Sequence, residues 1–188
     1  EESSVPAASA EKPPVFAEES EDTNTPIAGV LTQTPRRLSP YTVTTITRRQ
    51  IHLSQARSLY ELLEMYVPNL QMLFTSEHPK TLGLRGIMAH RSNKFLVMVN
   101  GRIMNEKTDV GAITELDLPM LTDIHHIDIL RGPAAAFYGP SAQSMVIHIV
   151  TDSAATFQGE QVTIRGGLIE QFSTFEYKYG KQTGSDQG

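Results

Sequence analysis

The 188-residue chain has no cysteine. That excludes disulfides, thiolate metal sites and a cysteine nucleophile together, without fixing the compartment. Long apolar runs are missing too. The stretch "FLVMV" at 95–99 is as long as any, at five residues, against the ~20 that a membrane-spanning helix needs. Any membrane role must therefore use strands or a partner. A strong basic field is also absent: residues 1–24 hold seven acids and one base, and the other 164 hold 14 acids and 15 bases. Beyond the tail nothing draws nucleic acid or anionic lipid. "GPAAAFYGPS" lacks the Lys and Gly spacing of a phosphate loop, and Ser141 and Ser144 have no G-x-S-x-G elbow or local Ser/His/Asp set. We expect no enzyme and no cofactor.

What is present begins with the tail. Its Glu, Ser, Ala and Pro bury too little apolar surface to offset the entropy of ordering, so disorder is expected there. A start at Glu1 with no Met and no signal peptide leads us to expect a processed or trimmed chain. "TPIAGVLTQTPRRLSP" (25–40) reads as a Pro-punctuated linker with an apolar island at Ile27, Val30 and Leu31. The pairs Arg36, Arg37 and Arg48, Arg49 lack interleaved aromatics and read as solvated charge.

Past the linker, periodicity takes over. "YTVTTIT" (41–47) is β-branched and alternating, as a strand requires. Thr47 with Gln50, and Ser58 with Glu61, have capping-box spacing and predict a short helix over 48–52 and a second one after Ser58. In the second, Leu59, Leu62, Leu63 and Tyr66 share one face, and Pro68 ends it. "LQMLF" (70–74) and "TLGLRG" (81–86) are strand candidates, "KFLVMV" (94–99) reads as a central strand, and Asn100-Gly101 predicts a tight turn. "IDIL" (127–130) reads as mostly buried, and "MVIHIV" (145–150) as buried on both faces with His148 its one polar residue. Gly132, Pro133, Gly139 and Pro140 make the connection between them a compact knuckle. Alternating helices and strands predict an α/β or α+β domain over 40–151.

Three patterns stay open on the residues alone. "QFSTFEYKYG" (171–180) alternates aromatics with charges, as a transmembrane barrel strand does and as an exposed edge strand of a soluble sheet also does. "DIHHID" (123–128) offers metal-ligand types, but on a regular strand His125 and His126 point to opposite faces, which favours solvated strand residues and no metal. Arg85 and Arg131 each follow a strand and precede Gly, so each needs a carboxylate, either local or on another domain.

The order "SPYTVTTITRRQI", "SLYELLEMYVPNLQM", "LGLRG", "KFLVMVNGR" and "LPMLTDIHHIDILRGPAAAFYGPSAQSMVIHIVT" resembles the plug domain of TonB-dependent outer-membrane receptors. The family form is a V-T-V-I-T strand, a helix ending in V-P-G-V, an I-R-G strand end, a strand ending in D-G-R, then I-E-V-L-R-G-P, Y-G and G-V-I-N-I-T. The likeness covers 32–151. Asn69, Asn100 and Met145 stand where the family has Gly, Asp and Gly, and Met145 adds bulk beside the knuckle.

The resemblance implies an α+β fold: a small plug domain with a mixed sheet and short helices over 36–155, after a disordered acidic periplasmic tail (1–35) and before the first strand or two of a β-barrel (156–188). It implies that Arg85 and Arg131 pair with barrel carboxylates. It carries His78, Lys80, His90, Arg91, Asn93, Asn105 and Lys107 on apical loops toward a ligand, and puts the candidate TonB box at Ile27, Ala28, Gly29, Val30 and Leu31. The implied partners are a TonB-type energy-transducing protein, a barrel domain or barrel-forming chain, and a small nutrient such as a siderophore, metal chelate or cobalamin. The implied role is a gate in the outer membrane of a Gram-negative cell. The alternative is a soluble interaction or signalling domain of the same fold. Family barrels have roughly 22 strands, and this chain stops after at most two, so we expect a fragment or one subunit of a split receptor.

Overall fold

The computed structural model describes residues 42–73, 81–88, 93–105, 121–132, 135–153, 156–167 and 172–181. The alternating Thr and Val residues form β1 (Thr42–Thr47). Thr47 then starts α1 (Arg48–Ser54) through the expected capping box: Thr47 Oγ1 accepts from Gln50 N–H, and Thr47 N–H donates to Gln50 Oε1 at 2.8 Å. This helix runs two residues past the expected end, to a left-handed Gln55 with φ 55°. In α2 (Leu59–Tyr66) Ser58 Oγ accepts from Glu61 N–H, but the Glu61 carboxylate reaches one residue further back, to Arg57 N–H at 2.9 Å. Leu59, Tyr60, Leu62 and Leu63 are buried.

Two tight hairpins follow. β2 (Leu70–Leu73), β3 (Thr81–Leu84) and β4 (Ile87–Met88) form an antiparallel three-stranded sheet. Arg85 and Gly86, with φ 51° and 78°, turn β3 into β4. Both values are positive, as a type I′ turn requires. Arg85 stands at a strand end as its sequence context predicts, but the hairpin it opens has no sequence signal, because Arg is an uncommon residue for a left-handed position. β5 (Phe95–Val99) turns into β6 (Arg102–Ile103) through Asn100 and Gly101, with φ 48° and 80°, as Asn-Gly predicts.

β7 (Ile124–Arg131) and β8 (Met145–Thr151), joined across the knuckle by the single turn of α3 (Ala135–Tyr138), complete a second sheet in the order β1-β7-β8-β5-β6. Its pairs are antiparallel except β5 with β8, so the sheet is mixed. The centre is β8. β5, expected as central, stands one place from the edge, because its other neighbour is the two-residue β6. β9 (Gly159–Gly167) and β10 (Phe172–Gly180) form a separate antiparallel hairpin.

Each face of the five-stranded sheet has its own apolar cluster. On one, Ile46, Ile127, Ile129, Ile147 and Phe95 join Ile51, Leu59, Leu62, Leu63 and Leu82. On the other, Leu96, Met98, Leu130 and Val146 pack with Ala142, Tyr138 and Val43 beside the knuckle. Burying one such side chain contributes about 1.5–3 kcal/mol. Two covered faces explain why β8 is apolar at almost every place. The polar residue inside it, His148, is tied down: Nε2 accepts from Gly101 N–H at 2.9 Å. Met145 is fully buried in the larger cluster, which absorbs the bulk that the family's Gly lacks. Asn69 and Asn100 hold left-handed φ of 61° and 48°, conformations that Asn adopts more readily than most residues.

Candidate functional site

The β9–β10 hairpin is sorted by period two into two unlike faces. Val162, Ile164, Phe175, Tyr177 and Tyr179 are bare, at 57–75 % exposure, with Ile164 opposite Phe175 and Val162 opposite Tyr177. The residues between them, Gln161, Thr163, Arg165, Thr174, Glu176 and Lys178, are half-buried. Their polar face meets the sheet and helices. Arg165 Nη1 donates to Ala56 O at 3.5 Å, and Thr122 Oγ1 donates to the Glu176 carboxylate. In a water-soluble sheet the apolar face is the covered one. Here the faces are exchanged.

Two cations of this seam meet on one carboxylate. Asp152, one residue past β8, receives Arg48 from α1 and Lys178 from β10 at the same oxygen. Its side chain is 3 % exposed. Both cations also approach the Phe157 ring, Lys178 Nζ at 4.4 Å from the centroid and the Arg48 guanidinium at 5.7 Å. His52, one turn along α1, is held below its ordinary pKa of 6.5 by burial first, then by Arg48, Arg165 and Lys178, with Asp152 opposing them. Arg48, expected as solvated charge, is thus paired and largely covered, and its partner Asp152 is not among the expected site residues. Neither has a local signal, because their partners lie 104 and 26 residues away.

A second group of cations lies elsewhere. Arg131 closes β7, where Nη2 donates to Thr44 Oγ1 at 3.2 Å and Nε is buried without a hydrogen-bond partner. Burial, and then the charge of Arg85, lower its pKa below the ordinary guanidinium value. The fold thus brings the two strand-end arginines into each other's field. Among the described residues, no carboxylate forms a salt bridge with either.

A family model described as the TonB-dependent receptor plug domain matches residues 35–146. The chain belongs to that family. It is 28 % identical over 130 residues to the vitamin B12 transporter BtuB of Vibrio vulnificus, covering 68 % of this chain and 20 % of that protein. It is 31 % identical over 126 residues to the BtuB of Photobacterium profundum, covering 66 % and 20 %. Among solved structures it resembles the ferric-catecholate import receptor Fiu of E. coli K12, with a TM-score of 0.56, 18 % identity and coverage of 76 % of this chain and 19 % of that one. That likeness is one of fold. The chain spans about a fifth of the length of the curated relatives it matches. Family membership puts the plug at the outer membrane. Among the described residues no helix is long and apolar enough to cross a membrane, which says nothing of strands.

The plug's remaining expected site residues fall into two sets. His78, Lys80, His90, Arg91 and Lys107, and Ile27, Ala28, Gly29, Val30 and Leu31, lie outside the described residues. Asn93 is half-buried at the turn before β5. Asn105 is engaged by the fold: its Oδ1 accepts from Val97 N–H and its Nδ2 donates to Phe95 O, both at 2.8 Å, so the amide extends the ladder of β5 past the end of β6.

The opposed geometry expected for His125 and His126 is wrong. A bulge between Ile124 and His126 shifts the register with β8 at His125, and the two Nδ1 atoms stand 2.8 Å apart. Bulges re-aim side chains in this way, and no local residue pattern signals this one. Among the described residues no group of three or more His, Asp or Glu is arranged to hold a metal ion.

Proposed function

We propose that this plug is the gate of a TonB-dependent outer-membrane transporter, non-enzymatic, closing a barrel and contributing to uptake of a scarce nutrient such as a siderophore, metal chelate or cobalamin. The observation that carries this is the two-faced hairpin. Its bare apolar face suits lipid and its polar face suits the plug, which is the arrangement of a barrel wall. A soluble interaction domain would leave five large apolar side chains in water for no gain. Among the described residues no third strand pairs with either edge of the hairpin, which suits further wall strands.

In this reading Arg85 and Arg131 meet carboxylates of the wall. Two like charges drawn together with a buried Nε lacking a partner are a costly arrangement in the plug alone, and an acidic wall residue removes that cost. The loops carrying His78, Lys80, His90, Arg91, Asn93 and Lys107 reach the ligand from outside. Asn105 joins them only if its amide leaves β5. The segment Ile27 to Leu31 adds as a strand to a sheet edge of the TonB-type partner, whose pull releases the gate. Deleting 42–151 from the receptor that carries this chain tests the proposal. Saturable nutrient uptake is expected to vanish while large antibiotics enter. Uptake that stays saturable and antibiotic entry that does not rise would count against it.

A further inference from the structure

Where the chain leaves the plug for the hairpin, five residues from four places in the sequence converge. Asp152 follows β8 directly, and its N–H donates to Asp123 O at 2.8 Å, so its backbone is fixed to the start of β7. Arg48 opens α1, and Lys178 and Gly180 lie on β10. Phe157 sits in the exit turn, held by Phe157 N–H to Ser153 O at 2.9 Å and Ser153 N–H to Thr156 Oγ1 at 2.8 Å. Gly180 matters for its missing side chain: a Cβ there would land against the Phe157 carbonyl oxygen and lie 2.9 Å from Phe157 Cδ1. A substitution would push β10 off the turn.

We propose that Asp152 is a clasp that holds helix α1 of the plug to the first hairpin of the wall, so that this corner stays fixed when the gate moves; the inference rests on the gate reading above. One buried carboxylate answers two cations from different elements, with side-chain exposures of 18 % and 21 % against 3 % for Asp152. The Phe157 ring supplies a second attraction for the same two cations. Without Asp152, Arg48, Arg165 and Lys178 would share a half-buried seam with His52, and the other carboxylate on the inner face of the hairpin, Glu176, is engaged by Thr122. Their repulsion would act across the seam and part α1 from β10. The pKa of His52 is lowered first by burial and then by the same three cations, Arg48, Arg165 and Lys178.

The clasp also has a direction. β1 and β8 run the same way beside β7, so Thr47 and Thr151 finish at the same end of the sheet. α1 therefore leaves the sheet beside the exit to the wall, and the clasp ties together the first and last turns of the chain's path through the plug. Asp152 does this with one carboxylate, which makes it the residue whose loss affects both sides.

The test is amide hydrogen exchange in the receptor that carries this chain, comparing Asp152→Asn, Lys178→Met and the double variant. Asp152→Asn is expected to speed exchange in α1 by about tenfold or more while β5 and β8 keep their protection. Lys178→Met, which keeps the stem and removes the charge from the wall side, is expected to speed α1 as well, and the double variant to add little to either single. Unchanged α1 exchange in both single variants overturns the clasp, and so do effects that multiply in the double. A general rise that includes β5 and β8 also overturns it, since it would mean a fold-wide role. Uptake is assayed in parallel: faster α1 with unchanged nutrient uptake keeps the clasp and counts against the gate reading.

Discussion

Asn100 and Thr151 exchange two hydrogen bonds: Asn100 Nδ2 donates to Thr151 Oγ1 at 2.7 Å, and Thr151 N–H donates to Asn100 Oδ1 at 3.0 Å. The β5–β6 turn is thereby tied to the last residue of β8, 51 positions on. Asn100 also holds a φ of 48°. Replacing it with Ala removes both bonds at ~1 kcal/mol each and leaves a residue with no polar side chain to ease the left-handed backbone. Replacing it with Asp, the family's residue, keeps an acceptor for Thr151 N–H and tolerates that φ. We expect Asn100→Ala to lower the urea midpoint clearly and Asn100→Asp to leave it nearly unchanged. Equal midpoints would show that the pair does not anchor the turn.

The pairing of Arg131 with Arg85 sets a contrast between contexts. In the chain alone the Arg131 guanidinium is depressed below its ordinary value by burial and then by Arg85, so its charge opposes the fold. Arg131→Met is expected to leave the denaturant midpoint of the 188-residue chain unchanged or raise it. On the proposed pairing of Arg131 with a wall carboxylate, the same change in the assembled receptor strands that carboxylate, where breaking a buried pair costs ~3–5 kcal/mol, and the plug should loosen enough to admit large antibiotics. A marked loss of stability in the chain alone would mean that Arg131 serves an internal partner.

How much of this was legible in the sequence depended on how far apart the cooperating residues lie. Thr47 with Gln50 and Asn100 with Gly101 act over one to three positions, and both gave the observed structure. The continuous apolar run of β8 pointed to two covered faces, which the two clusters supply. The alternation in β10 was legible as a pattern but ambiguous in sense, because period two does not say which face meets protein. Strand order was out of reach: β5 and β8 are both apolar runs, and only pairing tells centre from near-edge. The Arg48, Asp152 and Lys178 contacts join elements through the fold, and composition marks none of them.

His52 gives the seam a pH dependence whose sign can be worked out. Its folded-state pKa lies below 6.5, through burial and three cations. As pH falls below 6.5, the unfolded chain takes the proton first and the folded chain resists. Stability from this residue is therefore present above 6.5 and lost as pH drops through the lowered folded value. His52→Gln is expected to flatten the acid side of a stability-against-pH curve between those two points and to leave the curve unchanged at pH 8. An acid limb as steep in the variant as in the parent would remove His52 from the account.

Depth separates a wall from an edge strand. Ile164 is 75 % exposed and stands opposite Phe175 in the middle of the hairpin, whereas Glu160 stands opposite Tyr179 near the end where β10 finishes. An aromatic facing a charge suits the rim of a bilayer, and two apolar residues suit its interior. A lysine on the lipid face costs ~2–4 kcal/mol at the midplane and about 0–1 kcal/mol near the interface. On a soluble surface either substitution stays within about 0.5 kcal/mol. We expect Ile164→Lys in the receptor that carries this chain to impair folding into lipid vesicles strongly, read by denaturant titration, and Glu160→Lys to do so weakly or not at all. The ordering matters more than the size, since mid-hairpin must exceed rim if strands β9 and β10 lie across a membrane. Two equally mild variants would turn the bare apolar face into an ordinary exposed surface, and the wall reading of the hairpin would fall with it.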